Sequence, residues 1–438
     1  MQKRDWANLL SPDYPASRKY PVYSQNFLAA AHRAGIIRKV YWVPPSKKPV
    51  GDEDFDSFKG YLMDIGVAEA EVEALKRTDY SIEGRLNGVQ FYICSIKDLP
   101  NIPGGAALLV DLSFFSETYE NEVKTPFLDL FGGTVEILGR RVPKVASAVI
   151  SNSTMLGTVP LDMRFAGGYV KAWLTSPDRL VSGPLRQWEL RSQAMYHDTF
   201  YQMDDALDSY LEAVKLAPDD ASLRFDLARA LNRMKALDPL KNEIDMAVSI
   251  DPGYYPQYFV FARALLDNEV PWAAEVCVKD AIKVNPMDPR SYDVLYEVYE
   301  SEKMYDKVAE AVEKVIGLGF DGAFNYGKLG GAYTRAGMYQ KAREAYEKAV
   351  SLTPVDDRKS LAGFLDGRAD AYAGDKRVLL ALDTYKLAAD KADDPHAKMI
   401  ITQKAEALRE LWAPFMGGEQ APAPQAPAAG QSPPEPPR

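Results

Sequence analysis

Small residues recur at a fixed spacing through the second half of the chain, in segments whose apolar residues have a helical period. In successive 34-residue segments the eighth position holds Ala194, Ala228, Ala262, Tyr296 and Gly330. Two further sets keep the spacing: Ala206, Leu240, Ala274, Val308 and Ala342, and then Ala213, Ala247, Ala281, Val315 and Ala349. Because two helices approach closely only where side chains are small, the pattern predicts a pair of packed helices in each segment.

Prolines close most of these segments and give their length. Pro218, Pro252, Pro286 and Pro354 are separated by 34, 34 and 68 residues. A 34-residue period with a closing proline resembles the tetratricopeptide-repeat (TPR) family. Five units keep the register, and residues 325–354 are nearest the family pattern. The unit ending near Phe320 departs most, since it carries Tyr296 and lacks the proline, so we expect local repacking there or a change in superhelical pitch.

The repeat region continues beyond the five regular units. Ala369, Tyr372, Ala381, Tyr385 and Ala388 repeat the spacing in a shifted register. This sixth unit completes a solenoid over residues 187–395, and residues 396–416 are predicted to form a capping helix, which a repeat array needs at its end. Residues 417–438 contain many proline and alanine residues and no aromatic residue, and they predict a disordered tail.

The first 186 residues have a different pattern, in which helical and strand periodicities alternate. Strands are predicted at 40–43, 106–115 and 145–151, and a hairpin at 80–96 around Asn87-Gly88. Helices are predicted at 26–35, closed by Gly35, and at 55–75 and 161–174. Buried strands alternating with helices indicate an α/β domain with a parallel or mixed sheet. The predicted fold is therefore an α/β N-terminal domain, an all-α TPR superhelical solenoid and the disordered tail.

Composition narrows the classes of partner. The formal net charge is −10, which argues against a general affinity for nucleic acid or anionic membranes. No apolar stretch is long enough for a membrane span, and no apolar segment of the signal-peptide type follows the basic N-terminus. Cys94 and Cys277 are predicted to be buried apolar side chains. The compartment stays open between cytoplasm and, if a signal peptide was removed, periplasm.

One segment of the α/β domain raises the question of chemistry. Residues 108–115 (LLVDLSFF) resemble a metal-binding strand end of the ureohydrolase-like superfamily, which carries aspartates two positions apart. The resemblance implies carboxylates at 109, 111 and 113, and only Asp111 matches. It also implies a metal-dependent hydrolase with a TPR recruitment module. A magnesium site made of carboxylates alone would combine Asp111 with Glu117, Glu120 or Glu122. In the alternative, Asp111 accepts hydrogen bonds from loop amides. Since most ligands are missing, we expect no cofactor and lean against an enzyme.

The concave groove implied by the TPR resemblance is the main functional prediction. The 34-residue register places a basic and aromatic set and then an acidic set along it: Phe225, Arg229, Asn232, Arg233, Phe259, Arg263, Asp293 and Glu297. The leading hypothesis is a scaffold or adaptor that binds a peptide or partner protein there. In the alternative reading these charges form a solvated face. Self-association, in which the groove accepts a neighbour's N-terminal segment, is a third hypothesis.

Overall fold

The computed structural model describes residues 31–32, 34–45, 55–64, 67–86, 88–121, 124–151, 160–176 and 183–416. These belong to two compact units, Met1–Tyr254 and Tyr255–Arg438. The predicted tail at 417–438 and most of the predicted helix at 26–35 lie outside the described residues. In the described part, no helix combines the length and apolar character needed to cross a membrane.

The first unit begins with a mixed four-stranded sheet in the order β1-β4-β3-β2. Its strands are β1 (Lys39–Trp42), β2 (Lys76–Arg77), β3 (Ser81–Leu86) and β4 (Val89–Cys94). Strands β3 and β4 are antiparallel and pair Leu86 with Val89, which confirms the predicted hairpin, and Gly88 has the positive φ of 78° that such a tight turn needs. Strand β1 pairs with β4 in parallel.

Two helices cover this sheet. They are α1 (Phe55–Asp64) and α2 (Glu69–Glu73), so the single helix predicted at 55–75 is wrong. The backbone of Ala68 is extended between them, with φ −62° and ψ 132°. The break lets Leu62 of α1 and Val72 of α2 both point into one core with Ile82 of β3.

A second, two-stranded parallel sheet follows. It pairs β5 (Ala106–Asp111) with β6 (Val145–Ser151). The predicted buried strand at 106–115 is wrong in two respects. Leu109 is 62% exposed, because one face of the pair is open among the described residues. The chain also turns into helix α3 (Ser113–Asn121) after β5, and it buries Phe115 from that helix rather than from a strand.

The core of this part is aromatic. Helix α4 (Phe127–Arg141) contributes Phe127 and Phe131, and α5 (Arg164–Thr175), preceded by a short 3-10 turn at Leu161–Met163, contributes Phe165 and Tyr169. The ring centroids of Phe127 and Phe165 are 4.9 Å apart, and those of Phe131 and Tyr169 are 5.7 Å apart. These rings bury the large area that fixes the two helices together.

The first repeat helices belong to the same compact unit. They are α6 (Arg186–Thr199), α7 (Met203–Leu216), α8 (Ala221–Arg233) and α9 (Leu237–Ile250), followed by a 3-10 turn at Pro252–Tyr254. Trp188 of α6 stacks on Tyr169 at 4.1 Å, and the Ser192 hydroxyl accepts the Leu128 amide at 3.0 Å. The boundary predicted at 186–187 therefore lies inside one packed cluster.

The second unit consists of nine helices in its described part. Their bounds are α10 (Gln257–Asp267), α11 (Pro271–Val284), α12 (Pro289–Ser301), α13 (Tyr305–Gly317), α14 (Ala323–Arg335), α15 (Tyr339–Leu352), α16 (Arg358–Gly374), α17 (Val378–Lys391) and α18 (Pro395–Met416). Helix α18 packs Ile401 against the last pair, and Lys404 lies 2.8 Å from Asp366 and 2.9 Å from Asp370. It therefore takes the place predicted for the capping helix.

The small-residue register is confirmed by burial. Ala194, Ala228 and Ala262 are 0% exposed, and every member of the other two sets is buried. Gly330 is needed for a different reason, since a Cβ there would lie 2.8 Å from the ring of Tyr346. Tyr296 is half-buried, because its bulk does not fit the crossing that alanine occupies elsewhere.

The turn inside each helix pair repeats as well. Residues with positive φ occur at Tyr201, Lys235, Glu269, Lys303 and Gly337, each 34 apart, and again at Lys376. The Lys303 amide donates to the Glu300 carbonyl at 3.1 Å, and the Met304 amide to the Tyr299 carbonyl at 2.9 Å. This is a Schellman ending, which favours glycine at the left-handed residue. Among the five left-handed residues spaced by 34, only Gly337 is a glycine.

We predict that Lys303→Gly raises the free energy of unfolding by about 0.5–1 kcal/mol. Relief of the left-handed strain, about 1–2 kcal/mol, exceeds the entropy that glycine adds to the unfolded chain. Gly337→Ala should lower the free energy of unfolding by about 1 kcal/mol. A Cβ at 337 meets nothing within 4 Å, so the loss comes only from the left-handed backbone conformation, which alanine adopts less readily. Chemical denaturation followed by circular dichroism measures both, and changes of the opposite sign contradict the assignment.

Candidate functional site

The two phenylalanines predicted to line the groove are buried. Phe225 is 3% exposed and Phe259 is 5% exposed. The Phe225 ring lies 5.0 Å from the Tyr254 ring, and the Phe259 ring lies 5.9 Å from the Tyr255 ring. Both occupy the same position of the repeat, on the helix side that faces its neighbours. Neither ring is exposed for a ligand to contact, and both contribute to helix packing.

The arginines predicted for the groove in the first unit are engaged in ion pairs. Arg229 lies 2.9 Å from Asp162, and Arg233 pairs with Asp198 of α6. Asn232 is half-buried, and its carbonyl accepts the Lys235 amide. The two arginine contacts join α8 to preceding elements, so they serve the packing of the unit.

A fully buried ion pair lies beneath them. Arg191 of α6 and Asp226 of α8 are separated by 2.8 Å, and their side chains are 1% and 5% exposed. Burial raises the pKa of Asp226 to about 6, against the lowering effect of Arg191. A buried pair of this kind is costly to break from one side, because the remaining charge is left without a partner.

Ion pairs in the second unit join first helices one repeat apart. Arg263 of α10 makes two bonds of 2.9 Å to Glu297 of α12. Asp293 of α12 lies 3.4 Å from Lys328 of α14, and Glu300 pairs with Arg335. Of the predicted groove residues, Arg263 and Glu297 are thus brought together, and the charges of the second unit neutralise one another across its repeats.

An exposed aromatic group adjoins these pairs and was not predicted as a site. Phe324 of α14 is 67% exposed. The Lys328 ammonium lies 5.0 Å from the centre of the Phe324 ring and 5.1 Å from that of Tyr296. The sequence held one signal for it, since Tyr296 stands where the register calls for a small residue. We call Tyr296, Phe324 and Lys328 the aromatic–lysine patch.

Asp111 lies at the end of β5, where its Oδ1 accepts the Ser113 amide at 3.0 Å. This contact matches the alternative in which Asp111 satisfies loop amides. Within the described part of the chain, no three side chains of the metal-ligating types come together. Glu122 and the side chains of Glu117 and Glu120 lie outside the described residues. Nothing in the described geometry favours hydrolytic chemistry at Asp111.

Comparison with known proteins adds one family match. The tetratricopeptide-repeat family model matches residues 323–354, which are the α14–α15 pair. No curated protein sequence matches the chain. The solved structures of MamA, of YrrB (described as a TPR protein with an unusual peptide-binding site) and of yeast Tom70 are similar to parts of it.

The three structural similarities are limited in extent. MamA is 22% identical, with a TM-score of 0.32 over 38% of this chain and 91% of that one. YrrB is 15% identical, with a TM-score of 0.35 over 45% and 100%. Tom70 is 15% identical, with a TM-score of 0.32 over 70% and 59%. Similarities at these TM-scores carry no weight for the function of this chain.

The raised pKa of Asp226 predicts a pH dependence of stability. The folded state keeps the proton on Asp226 up to a pKa of about 6, above the ordinary 3.8. This carboxyl therefore contributes most stability below about pH 4, and the contribution falls as the pH rises through 6. The free energy of unfolding of the wild type minus that of Asp226→Asn should fall by about 1–3 kcal/mol from pH 4 to 7. The exposed Asp208→Asn is the control, and a difference that rises with pH contradicts the prediction.

The exposed pair between α10 and α12 should be weakly stabilising. The side chains of Arg263 and Glu297 are 54% and 41% exposed, so we expect a coupling energy of about 0.2–1 kcal/mol. Arg263→Glu and Glu297→Arg should each destabilise by facing like charges, and the double variant should recover most of the loss. Urea denaturation of the four proteins measures this, and additive single effects would mean that the pair is not coupled.

Proposed function

We propose that the chain acts as an interaction scaffold of the tetratricopeptide-repeat type, whose first repeat helices bind a peptide or partner protein. The family match at 323–354 and the 34-residue register support this assignment of the fold. Repeat proteins present successive first helices as one continuous surface, and such surfaces commonly bind other proteins. The finer proposal is that the partner contacts the aromatic–lysine patch of the second unit.

The exposure of Phe324 carries this proposal. Phe324 is 67% exposed on a well-packed helix, and its ring lies 5.0 Å from the Lys328 ammonium, so the two side chains present an aromatic and a cationic group together. Phe324, Lys328, Gly331 and Arg335 are spaced as i, i+4, i+7 and i+11, so they follow one side of α14. Aromatic and cationic side chains of this kind dominate the energetics of protein interfaces.

The ion pairs around the patch define what the partner must offer. Since Arg263, Glu297, Glu300 and Arg335 already have charged partners, the surface has little net charge with which to attract a strongly charged ligand. Lys328 is held less closely, at 3.4 Å from Asp293. We therefore expect an extended segment with an apolar side chain against Phe324 and an oxygen acceptor for the Lys328 ammonium.

Site-specific photo-cross-linking tests the location. A benzophenone amino acid replaces Phe324 in one variant and Trp272 in a matched control, because Trp272 is 70% exposed but lies on the second helix α11. We expect position 324 to cross-link a defined partner from cell extract and position 272 not to. With the captured partner purified, Phe324→Ala should weaken its binding about tenfold, by the loss of one interface anchor.

The control variant for affinity is Trp272→Ala, which removes an equally exposed aromatic side chain. If Phe324→Ala and Trp272→Ala change the affinity equally, the aromatic–lysine patch is not the binding surface. Circular dichroism of each variant shows whether the helices are retained. A partner whose binding is lost only when α18 or the α/β part is altered would also contradict the proposal.

A further inference from the structure

Helix α18 continues beyond the helix pair on which it packs. It has 22 residues against 14 in α17, so the two helices are about 33 Å and about 21 Å long. Ile401 is buried in the core of the last pair, and Ala405 and Leu408 pack against that core. Beyond this point, Leu411 is 70% exposed and Phe415 is 77% exposed. The last turns of α18 therefore present large apolar side chains to solvent in the described part of the chain.

These turns continue the apolar stripe by which α18 packs. The stripe follows one side of the helix at alternating steps of four and three residues: Ile401, Ala405, Leu408, Trp412 and Phe415. Trp412 is half-buried, and its ring centre lies 5.5 Å from that of Phe415. We call Leu411, Trp412 and Phe415 the α18 end face. Because the last helix of a repeat array needs a polar outer side, an apolar end face requires a cover.

A second copy of the chain is a poor fit for the α18 end face. A whole aromatic side chain buries about 150–250 Å², so the three partly exposed side chains offer roughly a few hundred Å². Stable interfaces bury about 800 Å² on each partner. A contact this small is populated only when both sides belong to one chain, since the tether supplies an effective concentration in the millimolar range.

The segment that follows α18 in the sequence has the composition for such a cover. Gly417-Gly418 is a dipeptide typical of turns, at the point where the chain would have to reverse. Residues 420–430 contain no charged side chain and include Pro422, Pro424 and Pro427. Proline-rich segments favour the polyproline II conformation before they bind, so they lose little entropy on docking against aromatic rings. An uncharged segment also suits a face without charged groups.

The dimensions of the two parts agree. With three residues per turn, a polyproline II helix places Pro424 and Pro427 on one side, about 9 Å apart. The positions of Leu408 and Phe415 are about 10 Å apart along α18. The chain from Met416 to Pro424 can extend about 25 Å, which is enough to reverse direction and return along the helix. Two prolines at this spacing can therefore contact both ends of the uncovered stripe.

We propose that residues 420–427 fold back on the α18 end face as a polyproline II segment. Pro424 packs against the rings of Trp412 and Phe415, and Pro427 packs towards Leu411. The contact shields the apolar end of the repeat array and makes this face a site for proline-rich segments with prolines three residues apart. It lies on a different helix from the aromatic–lysine patch, so either proposal can fail without the other.

Fluorine NMR of the full chain labelled with fluorotryptophan tests the contact, and Trp412→Phe assigns the Trp412 signal. The double tail variant carries Pro424→Ala and Pro427→Ala. We expect it to move the Trp412 signal, because the ring loses its cover. The control variant carries Pro433→Ala and Pro436→Ala, which remove two prolines of the same spacing farther along the chain. It should leave the signal at the wild-type position.

A peptide added in solution tests the face itself. The probe is EQAPAPQAP with blocked ends, which reproduces residues 419–427. In the double tail variant it should return the Trp412 signal towards the wild-type position, with a Kd on the order of 1 mM. In the wild type the attached segment competes, so the peptide should bind about threefold more weakly. Adding Phe415→Ala to the double tail variant should weaken peptide binding about three- to tenfold. The matched control is Met287→Ala, which removes an apolar side chain that is 65% exposed elsewhere.

Four results would contradict the proposal. An identical Trp412 signal in the wild type and the double tail variant overturns the contact. An equal movement in the control variant overturns the assignment to residues 420–427. A wild-type signal that moves on about tenfold dilution shows that a second copy covers the face. Equal peptide affinity with and without Phe415→Ala places the peptide elsewhere and overturns the site.

Discussion

The close crossing of helices at buried alanines is the constraint on which the repeat region depends. Ala206 and Ala213 in the first unit, and Ala274 and Ala281 in the second, are fully buried where a larger side chain would separate two helices. Each crossing fixes the distance within a pair, and the 34-residue spacing repeats the same crossing along the sequence. Where the rule is broken, at Tyr296, the ring is left half-buried and becomes part of the exposed aromatic–lysine patch.

Charges follow the same repeat and therefore act mainly between neighbouring helix pairs. Arg191 with Asp226 in the first unit, and Arg263 with Glu297 in the second, are 35 and 34 residues apart. The two pairs differ in burial. Arg191 and Asp226 are shielded from solvent, whereas Arg263 and Glu297 are exposed to it. The buried pair resists removal of either partner, whereas the exposed pair adds little stability and instead leaves the surface nearly neutral.

The α/β part shows why the hydrophobic pattern of a strand does not by itself predict the sheet that the strand joins. LLVDLSFF is an apolar segment interrupted only by Asp111 and Ser113, and its composition suits either a buried strand or a buried helix. The chain uses both, with β5 ending at Asp111 and α3 beginning at Ser113, and Asp111 joins them by accepting the Ser113 amide. Local pattern had no means of showing that Leu109 would face outward, because that depends on which elements cover the strand.

The helix pairs, their 34-residue register, the capping helix and the hairpin at Gly88 could all be predicted from the sequence, because each follows from local periodicity or from one turn residue. The burial of Phe225 and Phe259 and the pairing of the charges predicted for the groove became visible only in the folded chain. The buried pair of Arg191 and Asp226, which are 35 residues apart, likewise forms only when α6 and α8 pack together. Such features arise from side chains far apart in sequence, and their rotation and packing are set by neighbours that no local pattern contains.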